Sequence, residues 1–244
     1  MTDRLPLNRF QEFGALSQTE LRAIVALGNP ALAFEKRATI RPEGIVPTSF
    51  FLLLEGWAKA SIILPDGSRQ IVKVHLPGDA LGTPSMCVTR TVEILTAITP
   101  VFVSEVPFER FGKLFEDHPR IAAQFMLTSQ LERVALMDQL ASVGRTSAEA
   151  RVASLLIDLL ERLEAIGLAS NGMYRLPLTQ EQLGDITGLT SVHINRTLRD
   201  LRARGLIAQQ GQHMTILDRQ KLGELAARPV RTLNYDAPWV PAGR

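Results

Sequence analysis

The chain has 244 residues, of which 45% are hydrophobic and 21% charged, with a formal net charge of +2; this length suits two globular domains. No stretch approaches the roughly 18 uninterrupted apolar residues of a membrane span, and Met1 to Phe10 lacks the continuous apolar run of a secretory signal, so a cytoplasmic protein with no membrane partner is expected. A single cysteine, Cys87, excludes an internal disulfide, a zinc ribbon and the four-thiolate ligation of an iron-sulfur cluster.

Ser17-Gln18-Thr19-Glu20 has the spacing of a capping box and opens a short helix ending near Gly28-Asn29-Pro30. From Ala31 short β-rich runs alternate with turn residues at Pro42-Glu43-Gly44, Glu55-Gly56, Pro65-Asp66-Gly67 and Pro77-Gly78-Asp79. This punctuation predicts an antiparallel roll or sandwich with strands over Ser49–Leu54, Trp57–Leu64, Arg69–His75 and Ile94–Val106, with Asp66-Gly67 as a hairpin tip. Trp57, after a glycine turn, reads as a packing residue. Residues 78–91 are rich in Gly, Pro, Ser and Thr and read as an irregular loop, a natural place for a ligand.

Asp117-His118-Pro119 marks the start of a long helix of about 23 residues that nothing interrupts before Gly144. Its apolar positions Ile121, Phe125, Thr128, Leu131, Ala135 and Met137 form a stripe, the first five of them the candidate dimer residues. A stripe between two compact regions is best buried against a twin helix, so a homodimer is predicted. Thr146-Ser147-Ala148-Glu149 reads as a second capping box, followed by a core helix with Val152, Leu155, Leu156, Leu159, Leu160 and Leu163 at helical period, ending near Gly167.

The segment from Leu178 to Leu201 contains two helices. Thr179 caps the first with Gln182 as its box partner, Gly188 permits a tight turn, and Thr190 caps the second, the arrangement of a helix-turn-helix. In the second helix Ile194, Leu198 and Leu201 share the core face, while Val192, Arg196 and Arg199 point the opposite way at 100° per residue. Ser191, Val192, Asn195 and Arg196 are the candidate base-reading residues. Arg196 can donate two hydrogen bonds to guanine, and the Val192 methyls can pack on a thymine methyl. Thr179, Thr190, His193 and Arg199 are the candidate contacts to the DNA backbone. A two-stranded wing is expected from Leu206–Ile207, a turn at Gly211, and Met214–Leu217. From Ser170 onward ten lysines and arginines face six acids, leaving the rest of the chain faintly acidic, as suits a DNA-binding module joined to a non-binding domain.

Residues 178–217 resemble the DNA-binding domain of the Crp/Fnr family of bacterial regulators. Ser142 to Ala153 resembles the family's hinge and first DNA-domain helix, and the region with Leu54-Glu55-Gly56, Asp66-Gly67 and Pro77-Gly78-Asp79-Ala80-Leu81-Gly82 is similar to its cyclic-nucleotide-binding-like domain. The resemblance implies an α+β fold: an N-terminal β-roll, a long dimerisation helix and a C-terminal winged helix-turn-helix. It implies a sequence-specific transcription regulator that binds double-stranded DNA at an inverted repeat, with RNA polymerase a candidate further partner. The domains expected are a sensor at 1–116, dimerisation helix and hinge at 117–144, DNA-binding domain at 145–228 and a flexible tail at 229–244. Of the base-reading positions only Arg196 carries the family's usual residue, so the operator need not be the family's best-known sequence. The wing residues Gln210 and Gln212 match the family's phosphate contacts.

The resemblance also places a candidate effector pocket at Gly78, Asp79, Leu81, Gly82, Arg90 and Thr91. Relatives that bind cyclic AMP use a Gly-Glu pair and an Arg-Ser or Arg-Thr pair followed by Ala; here Asp79 replaces the glutamate, Val92 follows Arg90-Thr91, and Arg90 is one residue out of register. The cyclic-nucleotide motif is therefore degenerate and the cofactor is left open, although haem ligation by His75 or Cys87 has a parallel in one branch of the family. No metal-ligand spacing or nucleophile arrangement points to an enzyme. A rival expectation is a ligand-binding module acting through protein contacts with a vestigial DNA-binding domain.

Overall fold

A computed structural model describes residues 11, 13–229, 231–232 and 238–241. The chain divides into two compact units, the second being Arg133–Thr232, with the first boundary inside a long helix.

In the first unit, helix α1 (Gln18–Leu27) is held by the expected box: the Ser17 hydroxyl accepts from the Glu20 amide and the Glu20 carboxylate accepts from the Ser17 amide. The roll follows as β1 (Leu32–Phe34), β2 (Thr39–Arg41), β3 (Ser49–Glu55), β4 (Ala58–Ile63), β5 (Arg69–His75), β6 (Ala80–Leu81), β7 (Ile94–Ala97) and β8 (Val101–Pro107). They form two antiparallel sheets, β1-β8-β3-β6 and β2-β7-β4-β5. Strand β3 explains why its sequence is continuously apolar. Phe51 and Leu53 enter the core between the sheets with Leu95 and Val103, whereas Phe50, Leu52 and Leu54 enter a second core under the helices.

The expected single strand Ile94–Val106 is two strands in different sheets. The chain crosses over at residues 98–100, where Thr99 Oγ1 accepts from the Trp57 amide and Ile98 donates to the Trp57 carbonyl. The expected irregular loop contains β6 and a 3₁₀ turn, Thr83–Cys87. Helix α2 (Phe108–Asp117) and the start of α3 (Pro119–Arg145) close the second core, with Phe111 edge-on to Phe50 at 5.1 Å and to Phe125 at 4.7 Å. Trp57 is buried.

The second unit is built on α4 (Ala148–Ala165), which packs against α5 (Gln180–Thr187), α6 (Ser191–Ala203) and α7 (Arg219–Ala226). Its N-cap is Ser147, bonded to the Ala150 amide, so the expected Thr146–Glu149 box does not form. Strands β9 (Ala169–Ser170), β10 (Met173–Arg175), β11 (Ile207–Gln210) and β12 (His213–Ile216) make a four-stranded wing sheet, β11-β12-β10-β9. Two of its strands were not expected from sequence. The tail expected at 229–244 falls largely outside the described residues.

Candidate nucleic-acid interface

Three local features set the angle between α5 and α6. The Thr179 and Gln182 box starts α5, and Gly188 ends it in the left-handed conformation (φ 68°). Gly184 is the third, and sequence reasoning passed over it: a Cβ there would lie 2.4 Å from the Leu189 carbonyl oxygen. The turn can therefore lie directly against α5, and the Leu189 amide donates to the Gly184 carbonyl at 3.1 Å. Thr190 then caps α6 through the His193 amide.

Helix α6 turns Ile194, Thr197, Leu198 and Leu201 into the core. Ser191, Val192, His193, Asn195, Arg196 and Arg199 are all exposed. Val192 is 77% exposed although apolar, with no packing reason to be there. Arg196 and Arg199 reach Asp200 only at 3.9 Å, as exposed pairs of a kind worth little and readily exchanged for a phosphate or base edge. Asn195 donates to Gln180 Oε1 at 3.3 Å, which ties α6 to α5 and leaves its carbonyl oxygen to accept.

The hydroxyls of Thr179 and Thr190 already serve as caps, and Thr190 Oγ1 also lies 2.9 Å from His193 Nδ1. A phosphate at these helix starts would meet mainly first-turn amides. In the wing, Gln210 pairs with His213 across the turn of Gly211 and Gln212. Gln212 Oε1 accepts from Arg175 Nε (3.1 Å) and Nη2 (3.0 Å). Arg175 thus brings a cation to the wing that went unnoticed in sequence, because β10 is only three residues long and shows no periodicity.

The six candidate effector residues do not line one cavity. Gly78 and Asp79 border a space of about 50 Å³ under the helices, walled by Phe50, Phe111 and Phe125, which is small beside the roughly 300–1,000 Å³ of typical ligand sites. The Asp79 carboxylate accepts from the Leu76 amide. Leu81 is fully buried between the sheets. Thr91 bridges the Pro42 carbonyl and the Ile45 amide, and exposed Arg90 donates to the Gly44 carbonyl. Beside Gly82 lies a buried ion pair that sequence reasoning missed: Arg41 meets Glu93 at 2.9 Å, each side chain 5% exposed. Arg41 also donates to the Ser49 and Gly82 carbonyls, and Ser85 donates to Glu93. Burial disfavours the Arg41 charge and lowers its pKa, with Glu93 opposing that effect.

The expected dimer stripe is corrected at its start. Ile121 is buried in its own unit and Phe125 packs on the same core, because this stripe continues the apolar face of α2. The large exposed apolar residues of α3 are Met126, Leu136, Met137, Leu140 and Val143, and Ala135 of the expected stripe is exposed with them.

Comparisons with known proteins agree with this architecture. Residues 31–118 match the cyclic nucleotide-binding domain family and residues 150–225 the Crp-like helix-turn-helix domain family. The chain is 33% identical over 214 residues to the nitrogen fixation regulation protein FixK of Bradyrhizobium diazoefficiens, covering 87% of this chain and 88% of that one. It is 28% identical over 223 residues to the transcriptional activator protein FnrA of Stutzerimonas stutzeri, covering 91% and 88%. The solved structure of FixK2 from Bradyrhizobium japonicum superimposes with a TM-score of 0.73 at 26% identity, covering 82% of this chain and 98% of that one. With a β-roll followed by a helix-turn-helix whose polar face is open, the chain belongs to the Crp/Fnr family of DNA-binding transcription regulators.

Proposed function

We propose that the protein acts in the cytoplasm as a homodimer whose two α6 helices read successive major grooves of an inverted repeat, about 34–36 Å apart. The observation that carries this reading is the face of α6. Ser191, Val192, Asn195, Arg196 and Arg199 are exposed together while the opposite residues are buried. Ser191, Val192, Asn195 and Arg196 contact bases. First-turn amides at Thr179 and Thr190, with His193, Arg199, Gln210, Gln212 and Arg175, contact phosphates.

Selection of bound duplexes from a random pool, at two salt concentrations and with and without cyclic AMP, tests the reading. Enrichment of an inverted repeat, with affinity falling steeply as salt rises, is expected. No enriched sequence would sink it. Cyclic AMP is expected to change nothing, because the Arg41 charge is already matched by Glu93 and Gly78 and Asp79 border only a small apolar space.

On the selected site, Arg196→Ala should weaken binding by about 1–3 kcal/mol per half-site and relax preference at one base pair of each half-site. Uniform weakening across all sequences would assign Arg196 to phosphate instead. Dimerisation is supported by Leu140, which is 76% exposed on α3 beside exposed Leu136, Met137 and Val143. Leu140→Asp should leave the fold intact yet shift the protein to monomers in sedimentation; an unchanged dimer would exclude this face.

A further inference from the structure

A second cavity, of about 320 Å³, lies wholly within the second unit. Its walls are the last turns of α3, the bend at Thr146, α4, the C-terminal end of α5 and the residues after α7. This volume falls in the range of small-molecule sites. None of its lining residues comes from the β-roll or from α6.

The charges around it do not balance. Its two acids are already matched: Asp138 pairs with Arg231, and Asp158 pairs with Arg162 at 3.5 Å and Arg228 at 3.8 Å. Arg145 and Arg151 also line it, and neither has an acidic partner among the described residues. Arg151 donates only to the backbone carbonyls of Thr187 (3.3 Å) and Thr146 (3.2 Å), and its Nε is out of solvent with no partner. A partly buried guanidinium without a counter-charge, carrying an unmet donor, is costly unless an anion joins it. Beyond the charged residues the lining mixes Gln139, Ser142, Ser154 and Thr187 with apolar Val143, Leu155, Ile186 and Ala226.

We infer that this pocket binds a small amphiphilic carboxylate, with the anionic group at Arg145 and Arg151 and the apolar body over Leu155, Ile186 and Ala226. Position gives the site a consequence. Gln139 of α3 donates to the Ile186 carbonyl at 3.2 Å, and Arg151 of α4 to the Thr187 carbonyl. Both acceptors are at the end of α5, the first helix of the helix-turn-helix. A ligand here sits where α3 and α4 hold α5, and a difference in its affinity between two settings of α5 shifts DNA affinity by at most that factor. That consequence rests on the DNA-binding reading above; occupancy of the pocket does not.

The test is calorimetric titration of the full chain, without DNA, with octanoate, and with octanamide as the neutral control at matched ionic strength. Ten or so non-hydrogen atoms predict roughly millimolar binding. Saturable binding of octanoate and not octanamide is expected. Arg145→Gln, at an exposed residue in no ion pair, should weaken it about tenfold or more, with Arg145→Lys recovering part of the loss. Equal binding of octanamide, equal binding by Arg145→Gln, or no saturable octanoate binding would each overturn the assignment. Because DNA is absent from the titration, failure to enrich a duplex leaves this result standing, and the reverse also holds. Adding octanoate to the duplex-binding assay then measures the coupling.

Discussion

Glu93→Ala is expected to destabilise the first unit by about 3–5 kcal/mol, because it strands the buried Arg41 charge with only neutral partners. Arg41 would keep its bonds to the Ser49 and Gly82 carbonyls, and Ser85 would lose its acceptor. The Arg41 Nε already lacks a partner, so the pair has no spare bonds to absorb the loss. For a protein of this size the melting temperature should fall by roughly 6–20 °C. Replacing both residues, Arg41→Met with Glu93→Leu, should recover most of that loss, since an apolar pair of similar volume needs no counter-charge. A drop under about 2 °C for Glu93→Ala, or a double variant no better than the single, would show that the pair is not sealed from water. The chemical logic is that of a site supplied with its own anion. Arg41 is a buried cation between the sheets of a nucleotide-binding-like roll, and the chain itself provides the carboxylate that neutralises it.

Gly184→Ala is the second large effect, and its sign depends on contact with the turn that follows α5. In an open helix, alanine for glycine gains up to about 1 kcal/mol. Gly223 in α7 has open space at its Cβ position and should show that gain. At Gly184 the added methyl would meet the Leu189 carbonyl oxygen at 2.4 Å, a backbone atom that cannot rotate away, so α5 and the turn must separate. Overpacking of this kind costs about 1–3 kcal/mol. The displacement also moves α6 relative to α5, so loss of duplex binding should exceed the loss of stability. Thermal melts of the two variants and one duplex titration suffice; Gly184→Ala matching Gly223→Ala in stability would refute the close-contact account.

These two positions show how differently parts of the molecule could be read. The capped helices were legible because their signals are local. The Thr179 box, the Gly188 turn and the Thr190 cap each lie within a few residues of the group they bond, and the Ile194, Leu198 and Leu201 period identifies the buried face of α6 without any neighbour. The main strands of the roll were legible from turn residues, and with them the family.

What faced what over long separations was not legible. Arg41 and Glu93 are 52 residues apart, and each alone reads as an ordinary surface charge. Strands β1, β2 and β10 are three residues long and acquire their conformation from ladder partners, not from their own pattern. Ile121 and Phe125 belong to an apolar stripe that could equally have met a twin; only the docking of α2 and β3 assigns them to their own core. Periodicity and capping are properties of one segment and survive in the sequence, whereas charge neutralisation, sheet exchange and the choice of partner for an apolar face depend on distances that exist only once the chain has packed.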